Sequence, residues 1–176
     1  METSEYVLFF GHQPNNLGIN IFSQWYQIKF IEKFDKHTII EYNNAEQYMM
    51  AHKALLFGDA DNYEKIMNTS DPGQIKRFGR AIKGFDPDIW NEHKFDIVVN
   101  GNRLKFGQNK SLMDRLLKTN NKFIAEASPY DRIWGNGLTA NLAIKTPQNK
   151  WPGQNLLGHA LMVVRDENLA AKKLIN

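Results

Sequence analysis

The sequence predicts a helix-rich α+β fold, a single compact domain over residues 1–176 with a small, mainly antiparallel sheet. Up to Tyr42 the chain contains short runs of β-branched and aromatic residues separated by turn residues, which are typical of strands. After Tyr42, apolar residues recur at helical spacing behind Asn, Asp and Pro residues that favour helix starts. A chain of 176 residues with 42% hydrophobic content is long enough to bury about 70% of its surface.

Three strands are predicted first, over residues 6–10, 25–30 and 37–42. Each run is rich in β-branched or aromatic residues, and the Asn/Gly-rich loop HQPNNLGIN lies between the first two. We expect these strands to form one small antiparallel sheet.

Helices are predicted for most of the remaining chain. Pro72 directly follows Asp71, and because proline suits the first helical turn, a helix begins there; Gly84 is its expected end. The apolar run NLLGHALMVV at residues 155–164 is predicted to be a late helix or a buried strand. The predicted helical ranges are 43–57, 61–67, 71–84, 87–100 and 103–118.

Composition narrows the function classes. A net charge of +3 and a pI near 9.0 allow a phosphate-bearing partner, including nucleic acid, without requiring one. The absence of cysteine excludes a disulfide scaffold, thiol catalysis and cysteine metal sites. The N-terminal sequence METSEYVLFF lacks a secretory pattern, and no window approaches the roughly 20 apolar residues of a membrane span. We expect a cytoplasmic protein, with a nuclear location as the alternative, and no membrane partner.

Common catalytic motifs are absent from the sequence. The five histidines show no metal-ligand spacing, and there is no GxSxG motif or P-loop. The glycines of WPGQNLLGHALMVVRDE lack the spacing of a dinucleotide fingerprint. We therefore expect neither a metal ion nor a cofactor.

The predicted helix over residues 43–57 carries two charges on its apolar side. Asn44 is a suitable cap, with Gln47 three residues later as in a capping box. The seven-residue step from Glu46 to Lys53 places the two side chains within about 20° of each other on a helical wheel. Apolar residues share that face, namely Met49, Met50, Leu56 and Phe57. Two interpretations stay open: a structural ion pair or solvent-reaching lysine, and an acid/base and amine pair in a pocket.

Three later segments hold further candidate site residues. In the helix predicted from Asp71, Lys76, Arg80 and Lys83 form a basic stripe, which is either a solvated face or a phosphate-binding face. The loop EASPYDRIWGNGL presents Asp131, Arg132 and Trp134; the tryptophan either stacks on a flat ring or fills the core. The segment NRLKFGQN contains Lys105, Gln108 and Asn109, for which the pattern favours a structural role.

Six blocks in order resemble the NADAR family: AEQYMMAHKALLF, a GR after a basic helix, a tryptophan, KFGQN, EASPYDRIWGNGL and WPGQNLLGHALMVVR. The resemblance runs from about residue 22 to 165 and leaves the HQPNNLGIN loop outside. It implies a cleft for ADP-ribose or a related ribosyl phosphate and a metal-independent N-glycosidase activity. Family members either remove ADP-ribose from ADP-ribosylated guanine in nucleic acid or cleave ribosylaminouracil phosphates that arise in the riboflavin pathway.

The resemblance also assigns roles by position. It implies that Glu46, Lys53 and Asp131 are catalytic, and that Trp90 and Trp134 are pocket residues. Three further residues are candidate phosphate or ribose ligands: Arg80, Lys105 and Asn109.

The family has a lysine that forms a Schiff base with the opened sugar. We assign it to Lys53 rather than Lys105, because Glu46 lies on the same helical face. A proton shared between Glu46 and Lys53 would let the lysine act as a neutral nucleophile. The guanine-linked substrate is the preferred prediction, with the ribosylaminouracil phosphate and a non-catalytic ADP-ribose-binding module as alternatives.

Overall fold

Seven helices and four short strands form the regular structure in the computed structural model, which describes the backbone of residues 1–175 and the side chains of residues 1–174. The strands are β1 Tyr6–Phe9, β2 Phe30–Lys33, β3 Ile39–Tyr42 and β4 Phe123–Glu126. The helices are α1 Ala45–Leu56, α2 Ala60–Met67, α3 Pro72–Arg80, α4 Pro87–Gly107, α5 Lys110–Leu117, α6 Ala140–Ala143 and α7 Leu156–Ile175. The helix-rich α+β prediction is confirmed.

Several predicted boundaries are wrong. The strand expected over 25–30 is displaced, since β2 begins only at Phe30, and α3 ends at Arg80, before Gly84. The break expected near Gly101 lies instead at Gln108 and Asn109, between α4 and α5. Gly101 stays inside α4 because a Cβ there would lie 2.6 Å from a ring carbon of Tyr48. The glycine therefore serves close packing rather than helix termination.

The fold contains two compact units, and one of them combines Met1–Ser23 with the chain from Lys110 onward. In this unit β1 and β4 pair in parallel, with Tyr6 opposite Phe123, so the prediction that the first strand joins an antiparallel sheet is wrong. The run at 155–164 forms the start of α7, which packs on β4. A Cβ on Gly158 would lie 2.1 Å from the Ile124 carbonyl oxygen, so this glycine permits the contact.

The other unit, Gln24–Asn109, contains α1 to α4 and the antiparallel hairpin of β2 and β3. Helix α1 packs against α2, α3 and α4. The edge of β2 is closed by a side chain: Gln108 accepts from the Ile31 N–H at 2.9 Å and donates to its carbonyl at 2.7 Å. The α4 C-terminus is thereby fastened to the strand.

Glu32 of β2 also fastens the β2–β3 hairpin to α1. Its carboxylate accepts hydrogen bonds from the hydroxyl of Tyr42 at 3.0 Å and that of Tyr48 at 3.2 Å, and pairs with His52 Nε2 at 2.9 Å. Burial and the nearby Glu32 carboxylate raise the pKa of both tyrosines. Both hydroxyls therefore stay protonated and donate, which fixes α1 on the hairpin.

None of the helices within residues 1–175 is long and apolar enough to cross a membrane.

Candidate active site

Helix α1 begins as the sequence predicts. The Asn44 side chain accepts from the Gln47 N–H at 2.9 Å, which satisfies a first-turn donor. The Gln47 side chain accepts from the N–H of Asn43, one residue before the cap. It also donates to the carbonyls of Ile66 and Thr69. The cap thus sets the start of the helix that carries Glu46 and Lys53, and ties it to the end of α2.

Glu46 is buried in the first turn of α1, within the Gln24–Asn109 unit. Only 4% of the residue is exposed, and its backbone N–H donates to the Gln24 carbonyl at 3.0 Å. The Gln24 side chain accepts from Asn102 Nδ2 at 3.1 Å, and the same nitrogen donates to the Val98 carbonyl. Sequence reasoning missed Gln24 and Asn102. The feature that could have identified them is that they are polar side chains at buried positions.

Lys53 lies at the other end of α1 in an aromatic setting. Its Nζ donates to the Gly79 carbonyl at 2.9 Å and lies 4.2 Å from the Phe85 ring centre and 5.4 Å from that of Trp90. Burial lowers the pKa of this half-buried amine, which increases its neutral, nucleophilic fraction at a given pH. Among the described residues the Lys53 ammonium donates to Gly79 and not to Glu46.

Gly79 is needed for this arrangement. A Cβ at position 79 would lie 2.0 Å from the Met50 sulfur, so only glycine lets the end of α3 come this close to α1. The glycine of the GR block is therefore explained by packing. Its carbonyl lies in the last turn of α3, where carbonyls lack partners within the helix.

Lys105 differs from Lys53 in exposure. It is fully buried in α4, with Nζ 5.7 Å from the Tyr26 ring centre, and burial lowers its pKa to about 7. Asn109 donates to the Lys105 carbonyl at 2.8 Å, an interaction that caps the end of α4. Asn109 therefore caps α4, and the Lys105 side chain is fully buried.

The basic stripe is not a continuous face of α3. Lys76 lies over the Trp25 ring at 5.9 Å and Arg80 ends the helix. Lys83 follows α3 and pairs with Asp61 at 3.0 Å; that hydrogen bond raises its pKa. Arg80 remains an exposed cation.

Asp131 and Trp134 belong to the other unit. One oxygen of Asp131 accepts from the N–H groups of Ile133 and Trp134 at 2.8 Å each, which is the pattern of an Asx turn. Carbonyls of the same turn, at Ile133 and Trp134, accept from the N–H groups of Leu156 and Leu157 at the start of α7. The half-buried Trp134 is held in place by these bonds.

The predicted site residues are therefore divided between the units. Asp131 and Trp134 lie in one, and the other contains Glu46, Lys53, Arg80, Trp90, Lys105 and Asn109. The structure brings Lys53 and Trp90 together and adds Phe85, which sequence reasoning missed. Within the described part of the chain, no group of three His, Cys, Asp or Glu side chains is arranged to hold a metal ion.

The blocks around this site are recognised by the NADAR domain model, which matches residues 8–168. The chain belongs to the NADAR family. The family match begins at Leu8, so the HQPNNLGIN loop, expected to lie outside it, is part of it. The matched segment of this NADAR chain, residues 8–168, includes parts of both compact units.

Relatives of this NADAR protein cover most of the chain. It is 57% identical to an N-glycosidase of Acanthamoeba polyphaga mimivirus, over 96% of this chain and 99% of the relative. It is 31% identical to protein irg-1 of Caenorhabditis elegans, over 94% of this chain and 80% of that protein. A maize riboflavin biosynthesis protein, PYRR, is 28% identical over 86% of this chain but only 25% of its own length.

A solved structure shares the fold of this NADAR chain. The NMR structure of the E. coli protein YbiA superposes with a TM-score of 0.75 at 25% sequence identity. The similarity covers 100% of this chain and 91% of YbiA.

Proposed function

We propose that this protein is an N-glycosyl hydrolase that removes ADP-ribose from ADP-ribosylated guanine in nucleic acid. Relatives named N-glycosidase, at 57% identity in the mimivirus and 28% in Nostoc punctiforme, support the reaction class. The observation that carries the proposal is the half-buried Lys53 amine, which lies against two aromatic rings on the helix that also carries the buried Glu46. The basic balance of the chain favours the nucleic-acid-linked substrate.

Glu46 acts as the acid in this proposal. Protonating the ribose ring oxygen, it assists cleavage of the bond between that oxygen and C1′, which opens the sugar. The base nitrogen then stays attached to an electrophilic C1′.

Lys53 acts as the nucleophile. Its neutral amine forms a bond to C1′ and gives up one proton; the electron pair of the bond from C1′ to the base nitrogen leaves with the base, which takes up that proton. The resulting protonated imine between Lys53 and C1′ is hydrolysed by water, which supplies the carbonyl oxygen of the released sugar, regenerates the amine and releases the proton that restores the acid form of Glu46. The net reaction consumes one water and yields ADP-ribose and unmodified guanine, which stays in the nucleic acid.

The Glu46 and Lys53 roles are separate rather than paired in this scheme. The two residues lie seven positions apart on α1, so the helical rise between their backbones is about 10 Å, and the two side chains converge only at the substrate, on its adjacent ring oxygen and C1′. The Lys53 hydrogen bond to Gly79 supports a lysine oriented by the backbone, with its proton state set by burial. Direct proton exchange with Glu46 is therefore not part of the proposal.

The remaining predicted ligands keep distinct proposed roles. Trp90, next to Lys53, stacks on a flat part of the substrate, and the exposed Arg80 binds phosphate. Trp134 stays a predicted stacking residue, and Asp131 a predicted ligand for a ribose hydroxyl or the attacking water. Lys105 and Asn109 stay predicted phosphate or ribose ligands, and the Asn109 bond to the Lys105 carbonyl also caps α4. We further propose that the two units act as one NADAR domain.

Cleavage of ribosylaminouracil phosphates is the second candidate function. Relatives named riboflavin biosynthesis proteins, from maize and Vibrio vulnificus, favour it, at 28% and 30% identity. The same Glu46 and Lys53 chemistry applies, because the bond cleaved again joins a base nitrogen to C1′.

A direct substrate assay tests the proposed function. The purified protein and its Glu46→Gln variant are incubated with a guanine-linked ADP-ribosylated oligonucleotide and, separately, with a ribosylaminouracil phosphate. Mass spectrometry measures release of ADP-ribose or ribose phosphate. We expect release from the oligonucleotide by the wild type only. Release from the riboside alone would establish the second function, and binding of ADP-ribose without turnover of either substrate would indicate a non-catalytic module.

A further inference from the structure

Phe85 is a large aromatic residue that remains 43% exposed. It lies in the segment between α3 and α4, yet its ring has a defined position. Its centre is 5.4 Å from that of Phe57 in an edge-to-face arrangement, and 4.2 Å from Lys53 Nζ. A ring fixed by two neighbours with one side in water is preorganised to stack, because little entropy is lost on binding.

A cleft of about 430 Å³ lies beside the segment that carries this ring, although Phe85 is not itself one of its lining residues. Phe57, which contacts Phe85, lines the cleft, as does Gly84, the preceding residue. The other lining residues are Gly58, Asp59, Ala60, Asp61 and Lys83. A volume of this size is within the range of about 300–1,000 Å³ that is usual for small-molecule sites.

Lys53 fixes where the base of a substrate must lie. If its amine attacks C1′, the base nitrogen is one bond from the attacked carbon, so the plane of the base begins beside the amine. Phe85 and Trp90 are the rings next to Lys53, and Phe85 also contacts Phe57, which lines the cleft.

We propose that Phe85 contacts substrate, its exposed ring stacking on the leaving base, with the base lying along the cleft between Phe57 and Gly84. This inference rests on the proposed function, since it takes Lys53 as the nucleophile. It names the base, rather than the ribose or the phosphates, as the group that Phe85 recognises. Stacking of this kind accepts any flat base.

Binding measurements with and without the base test the inference. In the Glu46→Gln background, which keeps the substrate intact, calorimetry measures Kd for the guanine-linked ADP-ribosylated oligonucleotide and for free ADP-ribose. Phe85→Ala should weaken oligonucleotide binding about tenfold, as expected for loss of one base–aromatic stack, and leave the Kd for ADP-ribose within about twofold. Phe85→Leu, which keeps apolar bulk but no ring, should show most of the same selective loss.

Phe34→Ala is the matched control, because the Phe34 ring is similarly exposed, at 51%, and packs against His52 away from the cleft lining. It should change neither Kd. Equal weakening of both ligands by Phe85→Ala, or no weakening of either, would overturn the role of Phe85 while leaving the proposed function intact. Failure of the wild type to release ADP-ribose would instead overturn the proposed function, and this inference with it.

Discussion

The Lys53 ammonium donates a hydrogen bond to the backbone carbonyl of Gly79, 2.9 Å away at the end of α3. Two effects act on this amine in opposite directions. The carbonyl and the negative end of the helix dipole favour the protonated form, whereas burial favours the neutral form and lowers the pKa. Burial is the larger effect, so the lysine is both oriented by a fixed acceptor and easier to deprotonate than an exposed lysine.

Gly79→Ala should disturb this orientation. The added Cβ would lie 2.0 Å from the Met50 sulfur, so α3 and α1 must separate or Met50 must adopt another rotamer. Overpacking of this kind costs about 1–3 kcal/mol of unfolding free energy. We expect urea denaturation to show that loss. N-glycosidase activity should fall even under conditions in which the variant is fully folded, because the Gly79 carbonyl moves relative to Lys53.

Gly107→Ala is the control for that substitution. No atom lies within 4 Å of a Cβ built at Gly107, and alanine stabilises a helical position relative to glycine by about 0.4–1 kcal/mol. Its denaturation midpoint should equal or exceed that of the wild type. A Gly79→Ala variant as stable and active as Gly107→Ala would contradict the packing role of Gly79.

Lys105 should make stability depend on pH. Burial lowers its pKa to about 7 in the folded protein, against 10.5 for an exposed lysine. Between these values the unfolded chain binds the proton and the folded chain does not, so the free energy of unfolding rises with pH. The slope from this one group is at most about 1.4 kcal/mol per pH unit. Urea denaturation between pH 7 and 10 measures it.

Lys105→Met should remove this part of the slope, because methionine fills a similar space without a titrating group. Lys94→Met provides the comparison, since Lys94 lies on the same helix and its Nζ donates to Asn91 at 2.6 Å. If the wild type and Lys105→Met gain stability equally as the pH rises, the lowered pKa of the buried Lys105 is refuted.

Glu32→Ala should destabilise the unit that contains α1. The substitution leaves the hydroxyls of Tyr42 and Tyr48 without their acceptor, and both residues are at most 2% exposed. Each unsatisfied buried donor costs about 1–3 kcal/mol, so for the two hydroxyls we expect a loss of about 2–6 kcal/mol in chemical denaturation. Glu41→Ala, which removes an exposed pair with Lys29, should change stability by less than about 0.5 kcal/mol. Comparable losses in the two variants would count against the Glu32 anchor.

The helix starts could be predicted from the sequence, because they depend on residues that are close together in the chain. The Asn44 cap of α1 forms as expected, because the acceptor and its N–H lie three residues apart. The start of α3 at Pro72 follows for the same reason. The helix that carries Glu46 and Lys53 was therefore predictable, and so was the burial of Glu46.

Long-range contacts were not predictable from the sequence. The parallel pairing of Tyr6 with Phe123 joins segments far apart in the chain, and no local signal specifies such a partner. The gap between the helices predicted over 87–100 and 103–118 is wrong, because the contact of Gly101 with Tyr48 depends on how α4 meets α1. Phe85 was missed for a similar reason: its exposure depends on tertiary packing, which hydrophobic periodicity does not report.

The central claim is that Lys53 forms a covalent imine with the opened ribose. Borohydride reduction during turnover, followed by peptide mapping with mass spectrometry, locates the trapped sugar most directly. We expect a ribosyl adduct on Lys53 in the wild type, no adduct in Lys53→Arg, and loss of turnover in that variant, since arginine keeps the charge but forms no imine. An adduct on Lys105, or undiminished turnover by Lys53→Arg, would contradict the claim.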